Sequence, residues 1–374
     1  MYVISLLQGM VFYGPIAALY RAAQGVSVFQ ITLIESISLV LCLLLEIPWG
    51  IAADRIGYRR TMIVCCGLYF LSKLVFWQAA NFWWFLLERV MLSVVIAGMS
   101  GVDSAILYLS CEKEDSQKVF GIYNSLGTAG LLLAAVIFSS LLGSHYKLAG
   151  GLTAVSYGLS FLASLFLREV RPKKPRGFDA DGFRAVLRER FSDKSLWLFL
   201  LAVAFLSETH QTITVFLNQV QYQTCGMTPS AIGYVYVGVT LAGLCGVWSA
   251  AAAKKTGIRA ACLLFSVLPA AACSLLAFTG SAALSVGGIL VLRVSNSLFQ
   301  PFQLDWQNRQ IQTSDRATAL SVNAMLVDSV GAGTNLAFGF LAQRSLPSAF
   351  LFGAGLCMAG TVLLFFWLRR KKTS

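Results

Sequence analysis

Charge is what this sequence has least of. Of its 374 residues 12% are Asp, Glu, Lys or Arg, while 57% are hydrophobic and the mean hydropathy is +0.71. A soluble domain carries about twice that charged share. A water-soluble globular chain is thereby excluded, and a multi-pass membrane protein remains. Histidine is scarce too, with two residues. There is no His-Glu-x-x-His pattern and no glycine-rich phosphate loop ending in Gly-Lys-Ser/Thr. An enzyme is not expected, nor an ATP-binding site, a metal or a cofactor, so a gradient must supply any driving force. The nine cysteines are odd in number and mostly sit in apolar runs (Cys42, Cys65, Cys66, Cys262, Cys273, Cys357). They show neither zinc-ligand spacing nor a secreted disulfide framework, and read as small buried hydrophobes. No signal peptide is expected, because the apolar run begins at Met1 without a basic segment before it.

What is there is a series of apolar runs. A span needs about 20 apolar residues. The runs predict helices near 1–21, 29–53, 61–80, 82–109, 117–143, 148–168, 195–221, 229–253, 258–279, 282–308, 315–343 and 346–368. These are twelve spans in two sets of six: an N-terminal half, 1–168, and a C-terminal half, 195–374. The net charge of +12 raises nucleic acid as a partner, but the placement of the charges argues otherwise. With the N-terminus inside, Arg21, Lys147 and Arg344 fall in outer connections, and Lys73, Arg89 and Arg293 fall within spans. The other 23 of the 29 basic residues lie on the inner side. That asymmetry supports an even span count with both ends cytoplasmic. The longest connection, Glu169 to Lys194, carries Phe183, Val186, Leu187 and Phe191 at helical spacing among arginines. It predicts an amphipathic helix on the inner membrane surface that tethers the halves.

Between the second and third spans stands Gly50-Ile-Ala-Ala-Asp54-Arg55-Ile-Gly57-Tyr-Arg59-Arg60. Gly50 and Gly57 allow close backbone approach and a tight turn. Asp54 can face the positive N-terminus of a neighbouring helix, and the arginines mark the cytoplasmic side. The stretch resembles the signature of the major facilitator superfamily of secondary transporters: Gly, three residues, Asp, a basic residue, one residue, Gly, then a basic pair. The resemblance implies an all-α membrane fold of two parallel six-helix repeats around a central cavity. It also implies that Gly50, Asp54, Arg55, Gly57, Arg59 and Arg60 form a cytoplasmic latch that takes part in gating. An internal repeat agrees with it. Lys254-Lys255-Thr-Gly257-Ile-Arg259 falls where the motif would recur, with Lys254 in place of the Asp. Arg89-Val90 matches Arg293-Val294.

Several spans carry polar stripes at helical spacing. On the fourth, Arg89, Ser93, Ser100 and Asp103 share a face. On the seventh, Ser207, Gln211, Thr214, Asn218 and Gln221 do so, with Glu208 and His210 on its edges. The tenth has Arg293, Asn296, Gln300, Gln303 and Gln307. The first is weaker, with Ser5, Gln8 and Tyr13, and its Gly14-Pro15 pair predicts a bend. The resemblance implies that these four spans line the cavity, which makes Gln211, Thr214, Asn218, Arg293, Asn296, Gln300 and Gln303 candidate substrate contacts. The alternative for any one of them is a hydrogen bond between helices. The spans hold the acids Glu35, Glu46, Glu88, Asp103, Glu208 and Asp328 against the bases Lys73, Arg89 and Arg293. Ionisable groups in a span mark proton relays and ion pathways. Glu208 and Asp328, near mid-span, are the leading proton-coupling candidates, followed by Glu35 and Asp103. Glu46 is expected in the cytoplasmic gate, and Glu88 at the outer interface, solvated. Arg89 and Arg293 read either as anion binders or as counter-charges of a proton relay. The resemblance implies proton coupling for Arg89.

The function expected is a proton-coupled transporter of small organic molecules in the cell membrane, working as an exporter by alternating access. Its partners would be the lipid bilayer, a small-molecule substrate and protons. Uptake or exchange of an organic anion, and a transport-inactive receptor or scaffold, stay open. The fifth span reads Gly127-Thr-Ala-Gly130, without the Gly-Pro that drug–proton antiporters of the superfamily often carry. Arg316-Ala317-Thr318 resembles a pattern in a subset of bacterial members.

Overall fold

The computed structural model describes residues 1–111, 116–170, 188, 194–310 and 316–370. Every regular element among them is helical. Eleven helices are long and apolar enough to cross a membrane. The helix Tyr146–Ser164 completes twelve spans; with Lys147 in its first turn, its 19 residues fall just short of the apolarity of the other eleven.

The first span is in pieces: α1 (Tyr2–Gly9), a 3-10 turn at Gly14–Ile16, and α2 (Ala17–Ala23). Pro15 lacks the N–H that a continuous helix would need. The second and third spans are α3 (Val28–Ile56) and α4 (Tyr58–Gln78), so one residue separates them rather than the seven expected between 53 and 61. Ser27 and Gln30 form a reciprocal capping box that starts α3. The fourth span is α5 (Phe82–Met99) and α6 (Val102–Leu109). The fifth is α7 (Ser116–Ile137) with a π turn at Phe138–Leu142, and the sixth is α8 (Tyr146–Ser164).

The seventh is α9 (Lys194–Thr212), a π turn at Ile213–Leu217, and α10 (Asn218–Thr224). The eighth is α11 (Pro229–Ala242), a 3-10 turn at Gly243–Trp248, and α12 (Ser249–Thr256). After these come α13 (Ile258–Phe278), α14 (Ala282–Arg309), α15 (Arg316–Arg344) and α16 (Leu346–Arg370). The amphipathic helix expected at 178–191 falls outside the described residues, apart from helical Arg188.

Two compact units result. The first comprises Met1–Gln30, Ile37–Phe178 and Thr228–Val237; the second comprises Ile31–Ser36, Asp179–Met227 and Gly238–Ser374. In the first, small residues bring backbones together, as packing between apolar helices in lipid requires. A Cβ on Gly9 would lie 2.1 Å from the Gly127 carbonyl oxygen, and one on Gly130 2.2 Å from that of Leu6. In the second, Phe199, Trp306 and Trp367 form an aromatic core, with ring centroids 4.7 Å apart for Phe199–Trp367 and 5.1 Å for Trp306–Trp367. Phe302, Phe265 and Leu364 pack around it.

Candidate functional site

The glycine-centred turn is a single residue. Gly57 ends α3 and begins α4 at φ 98° and ψ 145°, in the left-handed half of backbone space that other residues avoid. Thr61 Oγ1 donates to the Gly57 carbonyl at 3.0 Å. The Glu169 carboxylate lies against Gly57 and accepts from the Arg59 amide at 3.4 Å. The Arg59 guanidinium donates to the Leu165 carbonyl at 3.1 Å. The first turn of α4 is thus tied to the end of the sixth span. Sequence reasoning passed over Glu169, although an acid directly after the sixth apolar run and beside a basic segment was a signal. Arg55 and Arg60 are exposed. Asp54 is in the last turn of α3, but its side chain, like that of Gly50, lies outside the described residues. Gly257 repeats the device between Thr256 and Ile258, at φ 84° and ψ 140°, and among the described residues none beyond its chain neighbours comes within 4 Å of a Cβ placed there.

In the first unit Arg89 Nε donates to Ser38 Oγ at 3.1 Å. Ser38 and Ser93 share a hydrogen bond of 2.8 Å, and Ser93 donates back to the Arg89 carbonyl at 2.9 Å. The fourth span is thereby joined to the second through the residue expected to serve proton coupling. Asp103 is half-buried, accepts from the Ser104 amide and lies within electrostatic reach of Tyr123.

Two expectations fail in this unit. Glu88 is not solvated at an interface: it is 1% exposed and accepts a hydrogen bond from Lys73 Nζ at 3.1 Å. Arg21 is not an outer-loop marker: it is 5% exposed, with its guanidinium 3.9 Å from the other Glu88 oxygen. Lys73 also donates to Tyr13 Oη at 3.0 Å, and its ammonium stands 5.2 to 5.7 Å from the ring centres of Tyr69, Tyr157 and Tyr13. Cation–π contact of this kind offsets part of the lost hydration. Residues far apart in the chain supply the cluster, so no local spacing announced it.

In the second unit the carboxyl of Glu208 on α9 lies directly over Gly331 on α15. A Cβ at Gly331 would come 2.5 Å from it, so only glycine leaves that place free. Asp328, one turn away on α15, interacts with Glu208 electrostatically. His210 is buried, and the Thr214 hydroxyl donates to its carbonyl at 2.8 Å. Arg293 is within electrostatic reach of His210, and its guanidinium lies over the bare backbone of Gly243.

The stripe on the seventh span does not stay on one face. The π turn at Ile213–Leu217 inserts an extra residue and rotates the helix beyond it. Gln211 is exposed and Thr214 half-buried, whereas Asn218 and Gln221 are buried. Asn218 accepts from the Gln219 amide, and Gln221 donates to Ser285 Oγ and the Thr279 carbonyl, each at 3.1 Å. On the tenth span Asn296 and Gln303 are half-buried and Gln300 is exposed. Glu35 is buried. The second unit thus brings together Glu208 with Asp328, and His210 with Thr214 and Arg293.

A family model described as Major Facilitator Superfamily matches residues 1–334. A curated relative, solute carrier family 2, facilitated glucose transporter member 10 from Xenopus tropicalis, is 29% identical over 183 residues. That match covers 46% of this chain and 32% of the relative, so the chain spans about a third of that relative's length. The nucleoside transporter NupG superposes with a TM-score of 0.80 at 16% identity, over 98% of this chain and 97% of that one. A D-xylose-proton symporter does so with a TM-score of 0.75 at 12% identity, over 98% and 96%. At such identities the solved structures establish the shared fold alone.

Proposed function

The chain belongs to the Major Facilitator Superfamily of secondary transporters, and from that premise we propose that it is a proton-coupled exporter of small organic molecules in the cell membrane, working by alternating access. The observation that carries the proton assignment is the Glu208 carboxyl over Gly331, with Asp328 beside it. Carboxyl groups inside spans are the groups from which proton relays are built. Here two of them, on different helices, lie close enough to sense each other's charge. Glu208 and Asp328 take up and release the coupling proton, with Arg89, Asp103 and Glu35 in support. Gln211, Thr214, Asn218, Arg293, Asn296, Gln300 and Gln303 supply polar contacts to substrate. Gly50, Asp54, Arg55, Gly57, Arg59 and Arg60 act as the cytoplasmic latch.

A second reading is exchange or uptake of an organic anion. It is favoured by the convergence of Arg293 and His210, two groups able to meet a carboxylate or phosphate with charge-assisted hydrogen bonds.

Proton flux in inverted membrane vesicles separates the two readings. The panel should hold lipophilic cations, neutral nucleosides and pentoses, and organic anions. Export predicts proton release on adding a cationic or neutral compound. Glu208→Gln or Asp328→Asn should abolish that release while leaving the amount of protein in the membrane unchanged. Intact coupling in both variants refutes the proton assignment. No release with any lipophilic compound, together with organic-anion uptake by whole cells, refutes export.

A further inference from the structure

The two pieces of the first span draw most of their side-chain hydrogen bonds from different helices, although Gln8 Nε2 of the inner piece also donates to Cys66 Sγ of the third span at 3.5 Å, and Tyr20 of the outer piece packs near Tyr146 of the sixth, with ring centroids 6.1 Å apart. The inner piece, α1, is held by the fifth and sixth spans. Ser5 Oγ donates to the Tyr123 carbonyl at 2.7 Å, Ser156 Oγ to that of Leu7 at 2.7 Å, and Tyr157 Oη to that of Gln8 at 2.6 Å. Gly9 packs against Gly127 with no room for a side chain. The outer piece, α2 with the 3-10 turn before it, is held by polar groups of the third and fourth spans. Lys73 donates to Tyr13, Arg21 faces Glu88, and Tyr20 Oη donates to the Trp77 carbonyl at 3.3 Å.

Between the pieces, Met10–Tyr13 have no α-helical ladder. Met10 N bonds Leu7 O, Val11 N bonds Gly9 O, and Phe12 N is taken by Thr153 Oγ1 at 3.0 Å. An interrupted span whose parts answer mainly to separate partners is the arrangement in which motion concentrates at the interruption.

We propose that Met10–Tyr13 is a hinge inside the first half of this transporter, and that Lys73, Glu88 and Arg21 are positioning residues that hold the outer piece while the inner piece moves with the fifth and sixth spans. Lys73 is the hub. It hydrogen-bonds Tyr13 on the outer edge of the break and Glu88 on the fourth span. Its ammonium also faces the ring of Tyr157, whose hydroxyl ties down the end of the inner piece. Apolar side chains would pack the same space at least as stably, but they would allow the outer piece to slide. Charged hydrogen bonds of fixed direction fix its position.

The test is amide hydrogen exchange, read by mass spectrometry on the whole protein in liposomes. Lys73→Met leaves Glu88 with Arg21 as its counter-charge, and helical circular dichroism of the purified variant checks that it folds. Loss of a charge-assisted hydrogen bond should speed exchange in residues 10–23 by about tenfold or more, while residues 2–8 and 146–164 stay within about twofold. Lys73→Arg, which keeps the charge and the bond to Glu88, should restore slow exchange. A rise of equal size in both pieces would show the network to be a general prop and overturn the proposal. So would unchanged exchange in residues 10–23 of Lys73→Met. No substrate is needed, so the result does not depend on proton coupling.

Discussion

After the first span the chain leaves its helix at Gly25 with φ 80°, and the Val26 amide reaches back to the Arg21 carbonyl. After the seventh it leaves at Gly226 with φ 77°, and the Met227 amide reaches back to Tyr222. The one-residue turns at Gly57 and Gly257 match as closely. The ion cluster of Lys73, Glu88 and Arg21 does not obey this repeat. At the offset that pairs Gly57 with Gly257, Lys73 corresponds to Cys273, and at the offset that pairs Arg89 with Arg293, Glu88 corresponds to Leu292, so these positions of the second half do not repeat the buried ion cluster. Gly331, which makes room for Glu208, corresponds to Gly127, which Ser5 approaches instead. Duplication preserved the backbone devices that turn helices around. The buried ion cluster stands where the halves have diverged.

Substitution at paired positions tests that division. The largest effect is expected at Glu88. Glu88→Gln leaves Lys73 and Arg21 buried without their carboxylate and should cost about 3–5 kcal/mol of stability. Leu292→Met, at the matching place, should cost under about 1.5 kcal/mol. Thermal melting in detergent, monitored by helical circular dichroism, distinguishes them, and equal losses would undo the claimed asymmetry.

Next comes Gly331→Ala. The new methyl group must displace the Glu208 carboxyl, whose flexible end yields at little cost in stability. Displacing a reacting group by about 1 Å can cost roughly a hundredfold in rate, and a loss of that order is expected in proton-coupled flux. Gly127→Ala meets Ser5, whose Oγ is 3.1 Å and whose carbonyl oxygen is 3.8 Å away, and should retain most of the flux. The smallest effects are expected at the turns. Gly57→Ala and Gly257→Ala each force an L-residue into an extended conformation of positive φ that is almost confined to glycine, at about 1–3 kcal/mol. Gly57→Ala should be the worse by melting temperature, because the new methyl group also presses on Glu169. A larger loss at Gly257 would mean that Glu169 does not stiffen the first turn.

Much of this architecture was legible in the sequence, because spans are set by length and hydropathy and turns by glycine. The repeat at Gly57 and Gly257 was visible as spacing, and their positive φ bears it out. Three features were not legible, each because it is made in three dimensions. Glu88 looked like an interfacial acid, since nothing local ties it to Lys73 fifteen residues earlier or to Arg21. The stripe from Ser207 to Gln221 assumed an unbroken helical period, and the π turn at Ile213–Leu217 breaks it. The contact of Glu169 with Gly57 joins residues more than a hundred positions apart.

The polar side chains of α8 answer a need created in the first span. Breaking a helix frees backbone groups that lipid cannot satisfy, and neighbouring Ser, Thr and Tyr hydroxyls are what can take their place. Thr153 accepts from the Phe12 amide, Ser156 donates to the Leu7 carbonyl and Tyr157 to that of Gln8. The sixth span thus supplies the hydrogen bonds that the first gives up where its helix is interrupted.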